Sequence, residues 1–139
     1  MSTAKLYTPQ VLALATSLSG HPWDENLPLK GGARSKSCGS TITLALGTDD
    51  AGLVDRIGLK SQACAIGQAA AAIFAGAAIG RSGKEICEAG DEIQAWLAGN
   101  GERPDWPGLE AIDAARDYPA RHGAILLAWN AARELLPSS

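Results

Sequence analysis

The chain has 139 residues, of which 46% are hydrophobic and 19% charged, and a formal net charge of −3. That length suits one domain with a buried core, and the composition is that of a soluble globular fold, not a disordered or fibrous chain. Lys and Arg are spread thinly, with no basic run or stripe, which argues against nucleic acid as a partner.

In chain order, the first element is a short amphipathic helix. Thr8 takes the N-cap position, Pro9 the first helical position, and Val11, Leu12, Leu14, Ala15 and Leu18 form its apolar side. Gly20, Pro22 and Pro28 end it and begin an irregular segment that runs through Gly31-Gly32. A strand just before Cys38 is weakly marked. Thr41 to Leu46 alternates polar and apolar residues at period 2, and Leu53 to Leu59 does so less cleanly. Thr48-Asp49-Asp50-Ala51-Gly52 between them has turn chemistry, so the pair reads as an antiparallel hairpin.

From Cys64 onward the pattern is helical. Residues 65–79 form an Ala-rich helix with Gly80 as its C-cap. The surrounding stretch from Ser61 to Gly80 carries no formal charge and is long enough to span a bilayer. It is mostly Ala and Gly, however, with Gln62 and Gln68 inside it and few large apolar residues, so it reads as a buried helix and no membrane partner is expected. Ser82 caps the next helix, with Glu85 three residues on as a capping box and Ile86, Ile93, Trp96 and Leu97 as its apolar side. Gly99-Asn100-Gly101 stops it. Pro104 to Pro107 is a loop, and Leu109, Ile112 and Ala115 mark a short helix. A last helix begins near Pro119 and runs to about Leu136, with Ile125, Leu126, Trp129 and Ala132 at helical spacing. This order predicts an α+β fold over residues 1–139, a small antiparallel sheet of about three strands covered on one face by helices.

Met1 to Tyr7 shows no basic segment followed by an apolar stretch, so no secretory signal is expected. Three cysteines are too few for a disulfide framework, and the expected compartment is a reducing cytoplasm. Unpaired thiols there serve packing, catalysis or metal binding. Cys38 lies in Ser37-Cys38-Gly39-Ser40, before the first clear strand, where Gly39 lets the backbone approach a ligand. Cys64 stands at the start of the Ala-rich helix, and a helix N-terminus favours the thiolate that ligates metals and attacks electrophiles. His122 falls in the first turn of the last helix, a setting compatible with the neutral imidazole that ligation requires. The competing reading is core packing for each cysteine and a solvated surface group for His122. Cys87, beside Ile86 on an apolar helix face, reads as core. His21 carries no mechanistic signal, the four tryptophans read as packing, and no phosphate loop, nucleophile elbow or paired acid and base appears.

These settings resemble the NifU/IscU/SufU family of iron–sulfur cluster assembly scaffolds over roughly Leu6 to Leu136. The residues that carry the resemblance are Cys38-Gly39-Ser40, then Ala63-Cys64-Ala65-Ile66-Gly67-Gln68, then Arg121-His122-Gly123. The tail Leu127-Ala128-Trp129 and the long interval after Cys64 look like the SufU branch, whereas His122 looks like the IscU branch. The resemblance implies a SufE/NifU-like fold and a scaffold or sulfur-acceptor role, more a carrier than an enzyme. It implies a cysteine desulfurase and iron–sulfur recipient proteins as partners, a transient Fe–S cluster or Zn²⁺ as cargo, and a homodimer as one way to share it. Family ligands carry over to Cys38 and Cys64, with His122 as a conditional third. Where the family has a third cysteine this chain has Gly123, and where it has an aspartate this chain has Ser40. The alternative is therefore a degenerate member that docks the assembly machinery and holds neither cluster nor zinc.

Overall fold

The computed structural model describes residues 6–35 and 39–137. Helix α1 spans Pro9–Thr16 and a 3-10 turn continues it over Ser17–Gly20. It starts as its sequence dictates. Thr8 Oγ1 accepts the Val11 N–H at 3.1 Å, and Pro9 occupies the first turn, where its missing N–H costs nothing.

Three strands follow, β1 (Leu29–Arg34), β2 (Thr41–Thr48) and β3 (Val54–Gln62), in an antiparallel sheet of order β1-β2-β3. The β2–β3 hairpin appears as expected, with a register irregularity at Gly47/Thr48. β1 corrects the expectation of irregular chain through Gly31-Gly32: both glycines pair in register with Leu44 and Thr43. Their low strand propensity is overridden by cover from elsewhere in the fold. A Cβ at position 31 would sit 2.9 Å from Leu135 Cδ2, and one at position 32 would sit 2.6 Å from the Ile42 carbonyl oxygen. Glycine marks close approach here, not a break.

The sheet buries one face under helices. Ile42, Leu44, Leu46 and Leu59 are buried on that side, against α2 (Ala65–Ala78) and α4 (His122–Leu135). On the opposite face Ala45 pairs with Gly58, and the Pro22 carbonyl lies directly on Gly58, so a larger residue at 58 would strike it. The His21–Asp24 segment thus wraps the β3 edge and shields the far side of the sheet.

The helical layer is tied together by aromatic rings. Phe74 of α2 lies 5.7 Å from Trp106 and 5.3 Å from Trp129 of α4, the latter edge-on. Trp106 and Trp129 are also 5.3 Å apart, and Trp106 Nε1–H donates to the Ile73 carbonyl at 2.9 Å. The three rings therefore serve packing, with edge-to-face geometry that adds to their burial. Among the described residues, Trp129 Nε1 is the buried side-chain polar atom with no acceptor. Helix α3 (Gly83–Leu97) packs on α4, and a 3-10 segment over Leu109–Asp117, kinked at Ile112, stands where a short helix was expected. A 3-10 turn, Pro119–Arg121, then leads into α4. Among the described residues, no helix is long and apolar enough to cross a membrane.

Candidate functional site

Position 38 lies outside the described residues, but its flanks are placed. Arg34 pairs with Thr41 across the β1–β2 connection, Ser35 N–H donates to the Ser40 carbonyl at 2.8 Å, and Gly39 N–H donates to the Ser35 carbonyl at 3.0 Å. Gly39 has φ +71°, a conformation that glycine adopts without strain. Thr41 also pairs with Gln62, the last residue of β3. Ser40, which stands where the family has an aspartate, is buried, and Gln62 is two residues from Cys64. The flanks of Cys38 and the residue Cys64 therefore leave the sheet at the same end.

Cys64 is the N-cap of α2. Its backbone is extended (φ −63°, ψ 167°), its carbonyl accepts the Gln68 N–H at 2.9 Å, and its side chain makes no capping hydrogen bond. Gln68 reaches back, its Nε2–H donating to the Ala63 carbonyl at 3.0 Å, which fixes the chain just before the thiol. The side chain is half-buried and packs against the core. Small residues keep the surroundings open. A Cβ at Gly67, one turn into α2, would lie 2.9 Å from Ala63 Cβ and 3.3 Å from Ala124 Cβ. Residues i and i+3 share a helix face, so the contact between Gly67 and Ala124 brings the start of α4 to the start of α2.

That junction puts His122 and Gly123 at the same end as Cys64. His122 is half-buried, and its Nε2 lies 3.0 Å from the Ala115 carbonyl oxygen. A carbonyl only accepts, so Nε2 carries the proton and Nδ1 is the nitrogen left for a ligand or a proton. A ligating histidine commonly donates its other N–H to a carbonyl in this way, which fixes the ring orientation. The 3-10 segment that offers the carbonyl is itself anchored, since Arg116 Nε–H donates to the Trp96 carbonyl at 3.1 Å. Gly123 adds no donor. Among the described residues no group of three or more His, Cys, Asp or Glu side chains is placed to hold a metal ion. The described part of the site offers two donors, the Cys64 thiol and the His122 Nδ1, which is short of the four that a stable cluster or structural zinc takes.

Cys87 is buried in α3, as its sequence setting suggested, and its carbonyl accepts Arg133 Nη2–H at 3.2 Å. Sequence reasoning missed two contributors, the Ala115 carbonyl and the Gly67–Ala124 contact. Gly67 inside an Ala-rich helix was the available signal for the second; nothing in the sequence marks a backbone acceptor.

No family profile matches the chain, and no curated protein does. Solved structures do. A NifU-like protein (N-terminal) of Brucella abortus, described as nitrogen-fixing, is 29% identical, covers 95% of this chain and 92% of its own, and superposes with a TM-score of 0.86. A putative iron–sulfur cluster assembly scaffold protein for the SUF system of Fervidobacterium islandicum AW-1 is 22% identical, covers 98% and 100%, and gives a TM-score of 0.84; that likeness shows the fold alone. The three-stranded antiparallel sheet with its helices is thus a NifU-like α+β fold along nearly the whole chain. The NifU-like neighbour supports the NifU/IscU/SufU family for this chain.

Proposed function

We propose that this chain is a scaffold of iron–sulfur cluster assembly that accepts sulfur on a cysteine thiolate. The observation that carries the reading is Cys64, a half-buried thiol at the uncapped start of a 14-residue helix, in a fold shared with a NifU-like N-terminal domain. Free N–H groups at a helix start favour a bound anion, and the thiolate is both the nucleophile and the metal ligand.

In the sulfur-transfer step the thiolate of Cys64 or Cys38 attacks the terminal sulfur of a persulfide carried by a cysteine desulfurase. The donor's S–S bond breaks, its cysteine leaves as a thiolate, and the terminal sulfur stays on this chain as a new persulfide. The pair exchanges sulfur without net oxidation. A cluster or zinc ion, as cargo, would be held by Cys38 and Cys64 with His122 through Nδ1, and handed to recipient proteins. Gly123 and Ser40 leave that set one donor short, so a fourth comes from water, a partner or a second copy.

Gly123 also favours a second reading, in which the chain docks the assembly machinery without holding cargo. Replacement of each cysteine separates them. Cys38→Ser or Cys64→Ser should abolish sulfur acceptance and metal binding, while Cys87→Ser leaves both intact. Metal analysis of tag-free protein purified without air should find stoichiometric zinc or iron; a metal-free chain that still binds the desulfurase would favour the docking role. Equal loss in all three variants, or loss in none, would sink the scaffold assignment.

A further inference from the structure

β3 ends at Gln62, which pairs with Thr41, and α2 begins at Ala65. Ala63 and Cys64 are the whole connection between them. One residue holds the carbonyls of both. Gln68 donates its main-chain N–H to the Cys64 carbonyl at 2.9 Å and its Nε2–H to the Ala63 carbonyl at 3.0 Å. The Cα of Cys64 stands between those carbonyls, so both peptide planes that flank it are restrained from a single position.

Helix stability does not account for the side-chain bond. Apart from Gln68, α2 consists of Ala, Gly, Ile and Phe, so Gln68 is its one polar side chain. A helix start needs acceptors for its unpaired N–H groups, and a bond to the Ala63 carbonyl supplies none. The position where Glu or Gln would close a capping box, three residues after the N-cap, is Gly67. Ordering a glutamine side chain also costs at least as much free energy as one neutral hydrogen bond returns. The bond holds the chain at the thiol and does not cap the helix.

We propose that Gln68 is a positioning residue for Cys64 in sulfur transfer, an inference that rests on the scaffold reading. In that step the Cys64 thiolate attacks the terminal sulfur of the donor persulfide, the S–S bond breaks, and the donor cysteine leaves as a thiolate. Attack at sulfur runs along the bond that breaks, so the direction of the Cys64 Cα–Cβ bond limits where Sγ can meet it. With φ −63° and ψ 167° held by the two hydrogen bonds, Sγ is confined to the staggered positions about one fixed axis. Its chain neighbours, Ala63 and Ala65, with Gly67 one turn on, are too small to fix that axis by contact.

The test compares the full chain with Gln68→Met, which keeps length and helix propensity and removes the donor. With a cysteine desulfurase as sulfur donor, the maximal rate of persulfide formation at Cys64 should fall about tenfold, the factor that corresponds to one neutral hydrogen bond. The half-saturating desulfurase concentration should not change. Gln68→Glu, an isostere that only accepts when ionised, should lose at least as much. ¹⁵N relaxation of Gln68→Met should show lower order parameters at Ala63 and Cys64, with a thermal midpoint within about 2 °C of the parent. Parental rates in both variants, a loss that tracks a lowered midpoint, or sulfur on Cys38 alone in the parent would overturn the positioning role. No sulfur on any cysteine of the parent would overturn the scaffold reading, and this role with it.

Discussion

Two helix starts in this molecule are built in opposite ways. At α3 the start is closed: Ser82 Oγ accepts Glu85 N–H and Glu85 Oε1 accepts Ser82 N–H, each at 3.1 Å, and Gly83 lies against the Pro137 carbonyl and the Leu136 side chain. At α2 the start is open, since Cys64 at the same position contributes no capping bond. The start of α4 is likewise without a side-chain cap, and it meets α2 at the Gly67–Ala124 contact. A good N-cap stabilises a helix by about 1 kcal/mol. The molecule takes that stabilisation at α3 and forgoes a side-chain cap at the two starts that converge, one of which carries the Cys64 thiol. What separates α3 from α2 is a side chain that bonds the first backbone donors at one start and a thiol that does not at the other.

This contrast can be broken or sharpened by substitution. The largest effect should come from the ring cluster that fixes α2 and α4 relative to each other. Trp129→Ala should lose about 3–5 kcal/mol in denaturant unfolding and disturb the convergence with it. Next, Gly83→Ala should cost about 1–3 kcal/mol, because its Cβ meets the Pro137 carbonyl and the chain end must shift. Ser82→Ala should cost about 1 kcal/mol through the lost cap and leave sulfur acceptance unchanged. Smallest in stability, and most telling, is Cys64→Ser. A serine hydroxyl can cap α2, so thermal unfolding should be unchanged or raised by a few tenths of a kcal/mol, while sulfur acceptance is lost. A Cys64→Ser variant that loses stability as Ser82→Ala does would show that the thiol is structural.

Local signals were legible in the sequence. Thr8-Pro9 and the Ser82/Glu85 box act through side chains within one turn, so their helix starts could be read directly. The period-2 run of β2 gave its strand for the same reason. β1 was hidden, since Gly31 and Gly32 lack side chains to display a period, and the close approach at Gly31 comes from Leu135 at the far end of the chain. The segment after Gly108 carries helical spacing but adopts 3-10 geometry with a break at Ile112 (φ −113°, ψ 21°). At the site, Cys64 and His122 stood out because each begins a helix. The Ala115 carbonyl that orients His122 did not, because a backbone acceptor seven residues away has no signature in side-chain pattern.

The most direct test is to incubate the purified chain with a cysteine desulfurase and free cysteine, trap persulfides, and locate the added sulfur by peptide mass spectrometry. The scaffold reading predicts one extra sulfur on the peptide carrying Cys64 or on that carrying Cys38, and none on that carrying Cys87. Sulfur on Cys87 to an equal degree, or on no cysteine, would contradict it.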